Sequence, residues 1–152
     1  MTVPIGFDLI AILTDELRRG VGDGVESLRA ENVFSDVAPT RRFDGVATLE
    51  VGELATASEP DVEDGEIVET KNALYLRAPS KAEARRLARF ASGVVRRTLD
   101  LLKERGFVVD WRKESAAVYP DVEGGSVLES FCAEYVFFVL LEIDGVLRAV
   151  GL

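Results

Sequence analysis

Few residues in this chain have the types and spacing that catalysis needs. The sequence contains no histidine, which removes the commonest general base near neutral pH and the commonest zinc ligand. Cys132 is the single cysteine and lies in an apolar stretch, so we expect a buried, unreactive thiol and no internal disulfide. The remaining candidates for chemistry are two carboxylates and a lysine, Asp61, Glu69 and Lys71.

These three residues follow the spacing of one catalytic motif. Pro60-Asp61, followed by Ile67-Val68-Glu69-Thr70-Lys71, resembles the PD-(D/E)xK nuclease motif. The resemblance implies that Asp61 and Glu69 hold magnesium and that Lys71 positions or activates the attacking water. Against it, the chain offers little basic surface to a polyanionic substrate. We therefore expect no enzymatic activity, no metal and no cofactor, with the nuclease as an alternative.

Length and composition are those of one folded domain, residues 1–152. Of the 152 residues, 47% are hydrophobic and 30% are charged, which is enough apolar material to form a core. Eighteen basic residues against 27 acidic ones give a formal net charge of -9, so binding to nucleic acids or anionic membranes is disfavoured. No apolar run approaches the roughly 18 residues that a membrane span needs, and we expect an intracellular protein without a membrane partner.

The first half of the chain predicts a helix and short strands. Apolar residues at helical spacing predict a helix from Pro4 to Arg19. Two short strands are predicted, over Val33 to Val37 and Val46 to Val51. The acidic stretch from Ala55 to Gly65 has no apolar periodicity and predicts an exposed loop. A longer strand is predicted from Glu66 to Ala78.

The strongest local signals predict a long amphipathic helix from Ser80 to Arg105. Ser80 and Glu83 have the spacing of a capping box, and Gly106 suits the helix end. At about 100° per residue, one apolar stripe forms along the predicted helix, made of Ala84, Leu87, Ala88, Ala91, Val94, Val95, Thr98, Leu99 and Leu102.

The same helical spacing places basic residues together beside the apolar stripe. They are Arg85, Arg89, Arg96 and Lys103. The first three, together with Arg41 and Arg42, are candidate interface residues. The alternative is an ordinary solvated face, because charged stripes are common on exposed helices.

The last part of the chain predicts mostly strands. Short ones are predicted over Phe107 to Arg112 and Ala116 to Tyr119, and a long central strand from Phe131 to Ile143. Asp144-Gly145 predicts a hairpin turn that returns Val146 to Val150 as an edge strand. The fold class is therefore α+β: a mostly antiparallel sheet, with an N-terminal helix and one long helix packed on one face.

The order of these elements resembles one family of assembly proteins. The N-terminal helix, a strand, the acidic connector, a strand into Arg77-Ala78-Pro79-Ser80 and the long helix are followed by Phe131-Cys132-Ala133-Glu134-Tyr135-Val136-Phe137. This pattern resembles the tail terminator, or head-tail joining, proteins of long-tailed bacteriophages and related virus-like particles. The resemblance spans nearly the full chain and rests on element order and hydrophobic pattern.

The resemblance implies a virion structural protein assembled in the host cytoplasm. It implies a ring, commonly a hexamer, that caps the tail tube and contacts tail-tube and neck proteins. It also implies that DNA passes through a central channel without sequence-specific binding, for which an acidic subunit is suited because carboxylates repel phosphate. A third reading, a small cytosolic ligand-binding or regulatory domain, stays open.

Overall fold

The long strands and the two helices form separate layers. In the computed structural model, which describes residues 7–22, 27–36, 45–60, 65–120 and 130–144, the helices are α1 (Leu9–Gly22) and α2 (Lys81–Glu104). The strands are β1 (Val33–Ser35), β2 (Thr48–Pro60), β3 (Gly65–Ala78), β4 (Asp110–Pro120) and β5 (Phe131–Asp144), and a short 3-10 turn, Ala30–Asn32, precedes β1.

The five strands form one sheet in the order β1-β2-β3-β5-β4. β1 runs parallel to β2, and every other pair is antiparallel. Both helices pack on one face of this sheet and bury apolar side chains of β1, β2, β3 and β5 beneath them. The predicted α+β class, with a mostly antiparallel sheet and its N-terminal and long helices, is confirmed.

The long helix forms where the sequence predicts it. The Ser80 hydroxyl accepts a hydrogen bond from the Glu83 amide at 3.2 Å, which satisfies one unpaired amide of the first turn. The Glu83 carboxylate binds the Arg86 guanidinium at 3.3 Å. Seven residues of the predicted stripe are buried: Ala84, Leu87, Ala91, Val94, Val95, Leu99 and Leu102.

α2 ends in a Schellman motif. Gly106 has φ 84°, and the amides of Gly106 and Phe107 donate to the carbonyls of Lys103 and Leu102 at 3.1 and 2.8 Å. The Val108 amide also donates to Leu102, at 3.2 Å. Because Phe107 and Val108 complete this helix end, β4 begins at Asp110, and the predicted start at Phe107 is wrong.

The N-terminal helix begins later than predicted. Phe7 and Asp8 are not helical, and the Asp8 carboxylate accepts a hydrogen bond from the Ala11 amide at 3.1 Å, which marks the helix start. The helix also continues through Gly20 to Gly22. A Cβ on Gly20 would lie 3.1 Å from the Phe90 ring, so glycine here permits close approach of α1 to α2.

Two β-bulges explain where the predicted strand bounds are wrong. The pairing of β2 with β3 shifts between Glu53 and Ala55, so the alternation of buried residues stops there although the strand continues to Pro60. The predicted loop from Ala55 to Gly65 is therefore largely strand; its residues 61–64 lie outside the described residues. A second shift, between Lys113 and Ser115, divides the alternation within β4, which the sequence predicted as two strands.

β5 is an interior strand, as predicted. It pairs with β3 from Phe131 to Asp144 and with β4 from Phe131 to Leu140. The predicted edge strand, 146–150, lies outside the described residues. In the part of the chain that the structure describes, β4 takes the edge position beside β5.

Candidate interaction surfaces

The face of the sheet opposite the helices has an apolar centre. The register places Ala73 beside Val136, Lys71 beside Phe138 and Glu69 beside Leu140. Ala73 and Val136 are each 7% exposed, although no described helix covers this face. Phe138 and Leu140 continue the apolar strip and are half-buried. We refer to this surface, on the side of β3 and β5 away from the helices, as the open face.

Charged side chains lie over this apolar strip. The Arg112 guanidinium lies 4.1 Å from the centroid of the Phe138 ring, a cation–π contact. The Lys71 ammonium lies 5.8 Å from the same ring and 3.4 Å from the Glu114 carboxylate, which projects from the bulge in β4. Three charged groups, those of Arg112, Lys71 and Glu114, therefore lie over or beside the apolar strip.

Two tyrosines mark the other end of the open face. The Tyr75 hydroxyl lies 2.9 Å from the Cys132 sulfur, and the Tyr119 hydroxyl donates to the Glu134 carboxylate at 3.3 Å. Burial, followed by the contact with Cys132, raises the pKa of Tyr75 above its usual range. Burial and the negative charge of Glu134 raise the pKa of Tyr119 to about 12. Both hydroxyls are therefore neutral near pH 7, and the burial predicted for Cys132 is confirmed.

The described residues of the nuclease motif lie on the open face without forming a metal site. Glu69 and Lys71 are two positions apart in β3 and half-buried, and Lys71 pairs with Glu114. Asp61 lies outside the described residues. Its neighbour Pro60 pairs with Glu66, three residues and about 10 Å along β3 from Glu69. Within the described ranges, no group of three or more His, Cys, Asp or Glu residues could hold a metal ion.

The basic candidates on α2 lie beside β4. Arg85 and Arg89 are exposed and line a groove between the helix and the edge strand, together with Lys113, Ala116, Val118 and Tyr135. The groove has a volume of about 270 Å³. The Lys113 ammonium lies 6.0 Å from the Tyr135 ring. Burial raises the pKa of Tyr135 above its usual value, and the positive charge of Arg96 partly opposes this rise. We call this surface the basic groove.

Other basic residues of α2 have partners elsewhere. Lys103, the fourth residue of the predicted flank, binds the Asp110 carboxylate at 3.0 Å, and this hydrogen bond lowers the pKa of Asp110. Arg86 donates to Ser27 at 2.9 Å. Arg41 and Arg42 lie outside the described residues, so their role stays a prediction.

Three contributors to these surfaces are not evident from the sequence. Lys113 and Tyr135 reach the basic groove from different strands, and Arg112 reaches Phe138 from β4. The bulge at Glu114 reverses the alternation of β4, so a simple period of two assigns its residues to the wrong faces. In the sequence, the apolar and polar residues stop alternating between Trp111 and Val118, and this break could have indicated the bulge.

Membrane insertion by helices finds no support in the described part of the chain. Neither helix combines the length and the apolarity that crossing a bilayer requires.

The fold occurs in a solved particle. The chain is similar to a chain in a structure described as the virion of a native gene transfer agent (GTA) particle, with a TM-score of 0.56 and 16% sequence identity. The alignment covers 90% of this chain and 99% of that chain. No protein-family model and no curated protein match the sequence. At this identity, the likeness establishes a shared fold.

Proposed function

We propose that the protein is a structural protein of a phage-like virion, present in the particle rather than acting as an enzyme. One observation carries this proposal: nearly the whole of both chains aligns in the likeness to a chain of the gene transfer agent virion. Because the alignment covers nearly all of both chains, the two proteins share the complete fold and not merely one motif within it.

Within the virion, we propose the role of a tail terminator: a ring that caps the tail tube and joins it to the neck of the head. The surfaces support repeated contacts between copies. On the open face, Phe138 and Leu140 form the half-buried part of an apolar strip, and β4 is an edge strand whose residues are mostly exposed. Unlike surfaces on one subunit favour heterologous contacts, which close into a ring when the rotation between subunits permits it.

The net charge supports a channel that does not retain DNA. In a ring, the charges of -9 on the individual copies add up, and the resulting negative field repels the phosphate groups of DNA. DNA is then expected to pass without sequence-specific binding.

The proposal is tested in the cell that makes the particle. Removal of this protein is expected to yield heads and tails that are not joined, as counted by electron microscopy of purified particles. Expression of the wild-type chain in the same cell is the control and is expected to restore joined particles. Gold-labelled antibody is expected at the head-tail junction. Absence of the protein from purified, complete particles would contradict the proposal.

The ring is tested on the purified chain. Mass photometry and light scattering are expected to show one closed oligomer of fixed copy number. Only monomers at every concentration, with no assembly on added tail tubes, would contradict the ring.

A further inference from the structure

The basic groove carries positive charge on a chain whose net charge is negative. The chain has 27 acidic and 18 basic residues, whereas α2 alone has seven basic residues and three acidic ones. Arg85 and Arg89 are exposed, lie one helical turn apart and form no ion pair with a described residue. The same holds for Lys113, which lines the groove from β4. Three cations of the groove therefore lack a carboxylate partner among the described residues.

Glu134 also lines the groove, but its carboxylate is directed to the other side of the sheet. Glu134 pairs with Tyr75 in the register of β3 and β5, so the two side chains share the open face. There the Glu134 carboxylate accepts a hydrogen bond from the Tyr119 hydroxyl at 3.3 Å. The positive charge of the groove is therefore available to an acidic ligand.

The groove also exposes the edge of β4. Three consecutive strand residues line it, Ala116, Ala117 and Val118. Because successive side chains alternate between the two faces of a sheet, Ala117 presents its backbone to the groove. β4 pairs with β5 on one side, and within the described ranges no strand pairs with its other side. Every second residue of such an edge directs its amide and carbonyl away from the sheet, where another strand can bind them.

An extended polypeptide fits this groove better than a nucleic acid does. Ala88, Ala116 and Val118 give the groove an apolar floor, against which the aliphatic stems of acidic side chains can pack. The free edge of β4 offers the backbone hydrogen bonds by which proteins bind extended peptides. The net charge of -9, by contrast, repels the continuous phosphate charge of a nucleic acid.

The spacing of the two arginines matches that of an extended strand. Arg85 and Arg89 are four residues apart, which is about 6 Å along the helix axis. Side chains on one face of a strand repeat every two residues, or about 7 Å. Carboxylates at alternate positions of a strand that runs alongside α2 therefore reach both guanidinium groups. Charge-assisted hydrogen bonds of this kind are among the strongest that proteins form.

We propose that the basic groove binds an extended, acidic segment of a different protein, which adds to the edge of β4 as a further strand. Alternate carboxylates of the segment bind Arg85 and Arg89, and its backbone pairs with β4 near Ala117. The edge strands of the described sheet, β1 and β4, carry no carboxylates at alternate positions, so neither strand of a second copy fits this description. The site goes beyond the proposed function, because it belongs to the single chain whether or not a ring forms.

Fluorescence anisotropy tests the groove with a labelled peptide of about ten residues in which glutamate and threonine alternate. Saturable binding to the wild-type chain is expected at about 0.15 M salt, and a peptide of alternating lysine and threonine is expected not to bind. Arg85→Glu with Arg89→Glu is expected to weaken binding of the acidic peptide at least about tenfold, because like charges then meet. Undiminished binding to this variant, or no saturable binding to the wild type, would overturn the proposal.

A matched variant changes the same charges on another side of α2. Arg86→Glu with Arg97→Glu gives the chain the same net charge through exposed positions outside the groove. Binding of the acidic peptide within about twofold of the wild type is expected, since distant exposed charges are screened at this salt concentration. An equal loss in both variants would show a general effect of charge and overturn the assignment to the groove.

Methylation of the peptide backbone tests the added strand on the unchanged protein. One acidic peptide carries N-methyl groups on its glutamates and another carries them on its threonines, and only one of these sets directs its amides towards β4. One peptide is therefore expected to lose binding, and the other to keep most of it. Equal binding of the two peptides would be incompatible with an added strand.

Two further measurements distinguish other occupants of the groove. A labelled oligothymidylate of equal charge is expected to bind more weakly than the acidic peptide, and tighter binding would indicate a phosphate site. Light scattering is expected to give Arg85→Glu with Arg89→Glu the oligomeric state of the wild type, and dissociation would assign the groove to a second copy. Either contrary result would overturn the proposal. Absence of the protein from complete particles would contradict the virion function alone, because peptide binding is measured on the purified chain.

Discussion

Phe137 and Phe138 are consecutive residues of β5 with different environments. Phe137 is fully buried and belongs to the core beneath the helices, whereas Phe138 lies on the open face under the Arg112 guanidinium. Strand geometry produces this difference, because successive side chains point to opposite faces of a sheet. Phe137 therefore contributes to folding through the core, whereas Phe138 forms part of the surface on the open face.

Alanine substitutions separate these two purposes. Phe137→Ala is expected to lower the free energy of unfolding by about 3–5 kcal/mol, since it leaves a cavity in a packed core. Phe138→Ala, the matched control on the same strand, is expected to cost about 1–2 kcal/mol, through lost half-buried area and a lost cation–π contact. Urea denaturation followed by circular dichroism measures both. Equal losses for the two variants would contradict the assignment of the faces.

At the scale of elements, α2 shows two opposite uses of glycine. Gly106 has φ 84° at the end of the helix, a conformation that costs other residues free energy. Gly93 lies within the helix, where a Cβ would make an ordinary contact of 3.6 Å with the Arg97 side chain. The same substitution is therefore expected to act in opposite directions at the two positions.

Gly106→Ala is expected to lower the free energy of unfolding by about 1 kcal/mol, because the Schellman motif needs the left-handed conformation. Gly93→Ala is expected to raise it by about 0.5–1 kcal/mol, because alanine favours the helical backbone. Thermal or urea unfolding of the two variants against the wild type measures both effects. A gain in stability for Gly106→Ala would be incompatible with the described helix end.

The sequence predicts those elements whose signals are local. Ser80, Glu83 and Gly106 mark both ends of α2 within about one residue, and its apolar period identifies the buried stripe. The long strand β5 and the fold class are likewise predicted correctly. β2 and β4 are not bounded correctly, because a bulge in each changes the alternation on which strand prediction depends.

The candidate surfaces also contain one part that local sequence patterns predict and another part that they do not. The grouping of Arg85 and Arg89 depends on helical spacing alone, so the sequence predicts it. Their proximity to Lys113 and Tyr135 depends on the packing of α2 against two strands, which no local pattern determines. For the nuclease motif, the local sequence pattern correctly places Glu69 and Lys71 on one face of the sheet. Among the described residues, however, no cluster of side chains that could hold a metal ion forms there.

For the whole molecule, the formal net charge of -9 predicts weak interaction with DNA. Fluorescence anisotropy of a labelled duplex at about 0.15 M salt is expected to show no saturable binding, because few phosphate-bound counterions would be released. A basic protein of similar size serves as the positive control. Saturable binding that differs between duplex sequences would contradict a channel that passes DNA without recognition.

The position of β5 between β3 and β4 also affects how the chain folds. The residues that β5 pairs with in β3 are more than about 50 positions earlier in the sequence, so these contacts close long loops. During synthesis β3 and β4 emerge before β5, and the edges that β5 will occupy stay unpaired. The sheet is therefore completed late, and a nascent chain stopped before Phe131 exposes two strand edges to aggregation.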